Sequence, residues 1–223
     1  MRKVIGLLIF LSALIVTNLS ADEMFQAVDP KDATLVKTDS SKEFCNVCGM
    51  HLTKFYKTSH ATEFKNGHKE QYCSLHCQAQ IEEDHADKIK NIQVVDTNSL
   101  KFIDAKNAIY VVGSSKPGTM TPVSKYAFST KEEAVKFQKE FGGEIHTFDE
   151  SLDMAKKALI KENNAIDEKR VPMAIKGKKA FETMCDTKQI KDFNSVGEAK
   201  QYLIDNNVCK NLNPQMMQAV AIY

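Results

Sequence analysis

The chain carries four of its six cysteines in two close pairs, within the stretches Phe44-Cys45-Asn46-Val47-Cys48-Gly49-Met50 and Tyr72-Cys73-Ser74-Leu75-His76-Cys77. Between the pairs stands the dipeptide Asn66-Gly67, which favours the tight turn of a β-hairpin. The second pair opens a predicted helix, so Cys73 and Cys77 share one helix face because they lie four residues apart. The tight loop of residues 44–50, here called the knuckle, can together with the hairpin and the helix start bring four sulfurs to one point, as a thiolate metal site requires.

The following residues repeat a similar order of elements. Apolar runs predict strands at about 92–95, 108–113, 125–128 and 144–148. Thr130 begins a predicted helix, with Glu133 to complete a capping box and Gly142-Gly143 to end it. A further helix is predicted from Ser151 to about residue 164. We therefore predict an α+β domain over residues 43–165 that contains two similar units.

The overall charge excludes one class of function. The formal net charge is +1 and the pI is about 7.6, whereas a nucleic-acid-binding protein would show a basic patch or stripe. No Ser-His-Asp set or carboxylate pair indicates a hydrolase. We expect a binding protein, not an enzyme, with no nucleic acid among its partners.

The N-terminal residues have the layout of a secretory signal. Met1-Arg2-Lys3 precedes an apolar run to Leu19, and Ser20-Ala21 offers a cleavage site. We predict a signal peptide over residues 1–21, with a retained membrane anchor as the alternative, and a polar leader over residues 22–42. Such a signal implies a periplasmic protein, and no later stretch is apolar enough to predict a membrane span.

The cysteine cluster is compatible with three kinds of site. Four cysteines form structural zinc sites, and a Cys-x-x-Cys pair such as Cys45 and Cys48 forms redox disulfides. The third possibility is a Cu(I) site, because soft Cu(I) favours thiolate and thioether sulfur. Met50, close to Cys48, and Met120, in a Pro-Gly loop, favour Cu(I) over zinc. The candidate metal ligands are Cys45, Cys48, Met50, Cys73, Cys77 and Met120, with His76 as the one histidine worth adding.

Several of these segments together resemble the NosL family of periplasmic copper chaperones, which assist assembly of nitrous oxide reductase. The resemblance rests on residues 44–50, the strand 109–113, the loop Gly118-Thr119-Met120, the run 127–129 and the segment 141–148. It covers about residues 43–155 and implies a domain of two ββαβ-like modules. It also implies Cu(I) ligation by Cys48, Met50 and Met120, and a copper-supplying or copper-receiving partner such as the nitrous oxide reductase maturation machinery.

The chain departs from the usual pattern of that family at three points. It has no lipid-accepting cysteine, it adds Cys45 to the knuckle, and the segment Tyr72–Cys77 is similar to the knuckles of TRASH/YHS-type heavy-metal-binding domains. These differences imply a site that is richer in sulfur than the family's own.

The C-terminal residues form a separate unit in the sequence. Residues 163–170 are polar and predict a linker, and residues 171–223 predict a small helical domain that resembles a monohaem c-type cytochrome. Haem attachment needs Cys-x-x-Cys-His, whereas Asp186, Thr187, Lys188 and Gln189 follow Cys185, so we expect no haem. Cys185 and Cys209 are candidates for a disulfide.

Taken together, the sequence predicts a periplasmic metallochaperone. We expect it to hold Cu(I) in a Cys/Met site and to release the metal to a partner by ligand exchange. The alternatives are a structural zinc module and a thiol–disulfide redox protein that uses Cys45 and Cys48.

Overall fold

The structure, a computed structural model, describes residues 24–37 and 39–223. The predicted signal peptide over residues 1–21 lies outside the described residues. The strands are β1 (His60–Phe64), β2 (Lys69–Tyr72), β3 (Ile89–Val95), β4 (Phe102–Asp104), β5 (Ile109–Val112), β6 (Lys125–Phe128) and β7 (Glu144–Thr147). The helices are α1 (Leu75–His85), α2 (Lys131–Phe141), α3 (Phe148–Met184), α4 (Val196–Asp205) and α5 (Pro214–Ile222). Within the described ranges, none of the helices combines the length and the apolar character needed to cross a membrane.

The first module is a four-stranded antiparallel sheet with one helix. Strands β1 and β2 form the predicted hairpin, in which Glu63 pairs with Lys69, and Gly67 supplies the positive φ of 83° that the turn needs. Helix α1 follows, and β3 returns antiparallel to β1, giving the order β2-β1-β3-β4. Helix α1 ends at His85 and gives way to a 3₁₀ turn at Ala86–Lys88.

The second module repeats the connectivity of the first. Strands β5 and β6 are antiparallel, α2 follows, and β7 returns antiparallel to β5, giving the order β6-β5-β7. Thr130 caps α2 as predicted, but the Glu133 side chain contacts Asn98 and Ser129 and does not close a capping box. The α+β class and the two ββαβ-like modules followed by C-terminal helices are confirmed.

One long helix joins the two parts of the chain. Helix α3 begins at Phe148, where Thr147 and Glu150 form a full capping box, and it continues for 37 residues to Met184. Its first turns bury Phe148 and Leu152 in the core shared by both modules. The prediction of a linker over residues 163–170 was wrong, because these residues are helical.

The C-terminal helices pack against the far half of α3. Gly177 lets α5 approach so closely that a Cβ at this position would lie 2.0 Å from the main-chain oxygen of Ala219. Cys185 and Cys209 are joined by a disulfide, with their Cα atoms 3.9 Å apart. A small core of Ala180, Leu203, Val208 and Val220 lies between the helices.

The described part of the predicted leader packs on the domain. The Phe25 ring meets the Tyr126 ring edge-on, with centroids 5.3 Å apart, and Gln26 donates hydrogen bonds to main-chain oxygens of Pro117 and Gly118. The segment is irregular apart from a 3₁₀ turn at Pro30–Asp32. It is thus part of the folded domain.

Candidate metal centre

Four cysteine side chains converge next to the hairpin of β1 and β2. The Sγ atoms of Cys45, Cys48, Cys73 and Cys77 all lie within 4.8 Å of one another, and all four side chains are buried free thiols. The Sγ atom of Cys73 lies 3.4 Å from that of Cys48 and 3.8 Å from that of Cys77. Small rotations of these side chains would surround one metal ion with four sulfurs.

The first two sulfurs are presented by a tight main-chain knuckle. The Cys45 amide donates to the Met50 oxygen and the Gly49 amide donates to the Cys45 oxygen, each over 2.9 Å. Gly49 adopts a positive φ of 72°, which favours glycine at this position. Gln71, at the end of β2, exchanges hydrogen bonds with Asn46 and ties the knuckle to the hairpin.

The other two sulfurs flank the start of α1. The Ser74 hydroxyl caps this helix by accepting a hydrogen bond from the Cys77 amide over 3.3 Å. Cys73 therefore precedes the helix and Cys77 lies in its first turn. Cys73 is thus positioned by the end of the hairpin, and Cys77 is positioned by the helix that follows.

The thiols of Cys45 and Cys73 differ in acidity. Burial alone would raise the pKa of Cys45, but hydrogen bonds from Cys48, Cys73 and Cys77 outweigh burial and hold this pKa well below its ordinary value. Burial and the hydrogen bonds to its neighbours raise the pKa of Cys73 well above the ordinary value. Cys45 thus loses its proton more readily than Cys73, and a metal ion would have to displace the protons that the thiols still carry.

Both predicted methionines lie beside the cluster. Met50 and Met120 are partly buried and pack against the apolar cluster that contains the four cysteines together with Leu52 and Tyr72. Met120 adopts a positive φ of 67°, which is uncommon for a residue other than glycine. Both methionines therefore lie at the edge of the apolar cluster that holds the four cysteines.

His76 makes different contacts from those of the cysteines that flank it. Its side chain is 1% exposed, and its Nδ1 atom lies 2.7 Å from the Glu162 carboxylate on α3. His76 is not part of the group of ligand atoms formed by the four cysteines. Its Nε2 atom is buried and has no hydrogen-bond partner among the residues that the structure describes.

Two buried lysines lie next to the knuckle, and sequence reasoning missed both. Lys37, in the leader, donates to the Phe44 oxygen, and burial lowers its pKa although Asp39 and Cys45 oppose this effect. Lys200, on α4, donates to the Gly49 oxygen over 3.2 Å, and burial lowers its pKa to about 8. No local pattern marks Lys200 as a neighbour of the cysteines, because the contact joins residues 151 positions apart.

Comparison with known proteins identifies the domain that carries this centre. A family model for NosL matches residues 36–155, which is more than half of the chain. Among solved structures, the crystal structure of the copper chaperone NosL from Shewanella denitrificans is 28% identical, with a TM-score of 0.44, over 55% of this chain and 96% of that one. No curated protein matches. The family match includes both modules and all four clustered cysteines, so the chain belongs to the NosL family.

Proposed function

We propose that this protein is a Cu(I) chaperone that holds its metal in the thiol cluster and passes it to a partner by ligand exchange. The observation that carries the proposal is the group of four buried sulfurs within 4.8 Å of one another in a chain of the NosL family. Cys45, Cys48, Cys73 and Cys77 would supply thiolates, and Met50 and Met120 would supply thioethers.

The methionines are the reason to prefer copper to zinc. Four cysteines alone would suit a structural zinc ion, which uses thiolate, imidazole and carboxylate ligands. Thioether sulfur binds Cu(I) and adds nothing to a zinc site. Since both Met50 and Met120 pack against the apolar cluster that contains the cysteines, the surroundings of the thiols are richer in soft donors than a zinc site needs.

Ligand exchange suits a centre with more sulfurs than the metal can bind at once. Soft Cu(I) favours thiolate and thioether ligands, and four clustered thiols with two methionines in the same apolar surroundings offer a surplus of such donors. An incoming donor from a partner can therefore replace one sulfur while others keep hold of the ion. The protein would act in the periplasm, would turn over no substrate, and would exchange copper with a supplying or receiving protein or transporter. Its membership of the family favours the nitrous oxide reductase maturation machinery as the recipient of the copper.

Metal analysis of the protein purified without oxygen tests the proposal directly. We expect copper, bound as Cu(I), and a competition titration with a chromogenic Cu(I) chelator should give tight binding. Met50→Leu and Met120→Leu keep the apolar volume and remove the thioether, so each should weaken Cu(I) binding by about tenfold or more. Met154→Leu, at an exposed position of α3, is the matched control.

Two results would contradict the proposal. Stoichiometric zinc with unchanged Cu(I) affinity in both methionine variants would indicate a structural zinc module. A stable disulfide between Cys45 and Cys48 with a measurable insulin-reducing activity would indicate a redox protein.

A further inference from the structure

The C-terminal helices touch the main chain of the metal-binding knuckle. Gln218 on α5 donates from Nε2 to the Cys48 oxygen over 2.9 Å, and Lys200 on α4 donates from Nζ to the Gly49 oxygen over 3.2 Å. The two side chains are linked in turn, because the Lys200 ammonium also donates to Gln218 Oε1 over 2.8 Å. Three hydrogen bonds thus form one connected set between the tail and the knuckle.

The fit of α4 against the knuckle is close enough to require glycine on both sides. A Cβ at Gly197, in the first turn of α4, would lie 2.6 Å from the Cys45 oxygen. A Cβ at Gly49 would lie 2.6 Å from a methyl carbon of Val196. Because real Cβ atoms do not approach so closely, a side chain at either position would push helix and knuckle apart.

Lys200 also brings a positive charge to the centre. The residue is 8% exposed, and its Nζ atom lies 4.4 Å from the centroid of the Phe44 ring. A cluster of thiolates around a metal ion carries excess negative charge, and a buried ammonium nearby offsets it. The same side chain therefore serves the geometry of the knuckle and its charge.

We propose that α4 and α5 are a clamp on the metal centre, in which Lys200 and Gln218 are positioning residues that hold the Cys45–Gly49 main chain in its closed form. The clamp depends on the proposed function in one respect only, which is that these thiols hold a metal ion as cargo. Since all four sulfurs are buried, a competing ligand reaches them only when the knuckle moves, and the knuckle moves only when α4 and α5 shift. The C-terminal helices, which lie beyond the residues that match the family model, therefore set the rate of metal release.

Three variants of the full-length chain open the clamp in different ways. Gln218→Glu removes the donor to Cys48 and keeps an acceptor for Lys200. Lys200→Met removes the ammonium and keeps an apolar stem of similar length. Gly197→Ala inserts a Cβ against Cys45 while it raises the helix propensity of α4, so the helix itself is preserved. Matched controls are Gln215→Glu and Lys210→Met, at exposed positions of the same C-terminal region.

Two rates are measured for each variant. The first is alkylation of the metal-free, disulfide-intact protein by iodoacetamide, followed at Cys45 and Cys48 by mass spectrometry. The second is transfer of bound Cu(I) to a chromogenic chelator in excess. Alkylation follows the fraction of time that the knuckle is open, so loss of one hydrogen bond should accelerate it about fivefold. We expect the transfer rate to rise by a similar factor, while both controls stay within twofold of the unmodified protein.

Each outcome bears on the clamp separately from the choice of metal. Alkylation within twofold of the unmodified protein in all three variants would overturn the clamp. Acceleration by Gly197→Ala alone would support docking of α4 and overturn the assignment of Lys200 and Gln218. Faster alkylation in a protein that is found to hold zinc would support the clamp while the copper proposal fails, because alkylation is measured without metal.

Discussion

The His76 imidazole and the Glu162 carboxylate lie 2.7 Å apart and join the first turn of α1 to the middle of α3. A carboxylate only accepts hydrogen bonds, so Nδ1 of His76 must carry the proton that forms this contact. Because His76 directly precedes Cys77 in the first turn of α1, the contact holds in place the helix turn that presents the Cys77 sulfur. Helix α3 thus supports the metal centre from outside it.

Glu162→Gln should lower the stability of the protein. The substitution removes the charge from a contact whose histidine is 1% exposed, and the weaker neutral hydrogen bond should cost about 1–2 kcal/mol in free energy of unfolding. Urea unfolding of the metal-free protein measures this loss. Glu168→Gln, at an exposed position of the same helix, should change the free energy by less than about 0.5 kcal/mol. Equal effects of the two variants would show that the His76 contact adds nothing.

Gly177→Ala should destabilise the packing of α3 against α5. Alanine is the better helix former by about 1 kcal/mol, but its Cβ would lie 2.0 Å from the Ala219 oxygen. Main chain has to move to relieve such a contact, so the steric cost should win and leave a net loss of about 1–3 kcal/mol. Thermal unfolding followed by circular dichroism measures it, with Lys176→Ala as the exposed control. A stabilised Gly177→Ala protein would mean that the two helices are not in close contact.

Removal of the disulfide should loosen the C-terminal helices. Replacement of both Cys185 and Cys209 by serine frees a loop with a sequence separation of 24 residues. In the chain-entropy model such a loop contributes about 3 kcal/mol to stability. Limited proteolysis should therefore cut the variant sooner than the unmodified protein within residues 185–223. The number of metal ions bound should not change, because the four clustered cysteines are retained.

Elements with a strong local signal were predictable from the sequence. Asn66-Gly67 defined the hairpin, because its turn needs positive φ angles. Thr130 defined the start of α2 through its side-chain cap. The polar run at residues 163–170 misled the prediction, because α3 is anchored by packing at both ends and its exposed middle needs few apolar residues to stay helical.

The part of the candidate site that depends on neighbouring residues in the sequence was predictable. The spacing of the cysteines around a hairpin and a helix start placed four sulfurs together, and the structure has all four within 4.8 Å. Lys200 and Gln218 could not be found in this way, since they reach the knuckle across 151 and 170 positions of sequence. Such contacts depend on how α3 directs the C-terminal helices back, which no local pattern encodes.

The stability of the protein should fall in mild acid because of His60. This buried side chain is satisfied as a neutral ring: Nδ1 donates to the Thr58 oxygen and Nε2 accepts from the Tyr110 hydroxyl, each over 3.0 Å. Burial lowers its pKa from 6.5 to about 3. In the unfolded chain the His60 side chain therefore binds a proton below about pH 6.5, whereas in the native protein it binds this proton only near pH 3. This contribution to stability is complete above pH 6.5 and is lost progressively as the pH falls.

At pH 5 the loss attributable to His60 should be about 2 kcal/mol relative to pH 7.5. Urea unfolding of the metal-free protein across this range measures it. His60→Gln should flatten the pH dependence by that amount, whatever its effect on stability at neutral pH, because the variant has no group there to protonate. His68→Gln, in the partly exposed hairpin turn, is the control substitution of a histidine outside the core. If His60→Gln and the unmodified protein lost stability in parallel, another group would be responsible for the acid sensitivity, and His60 would have to be protonated in the native protein already at pH 5.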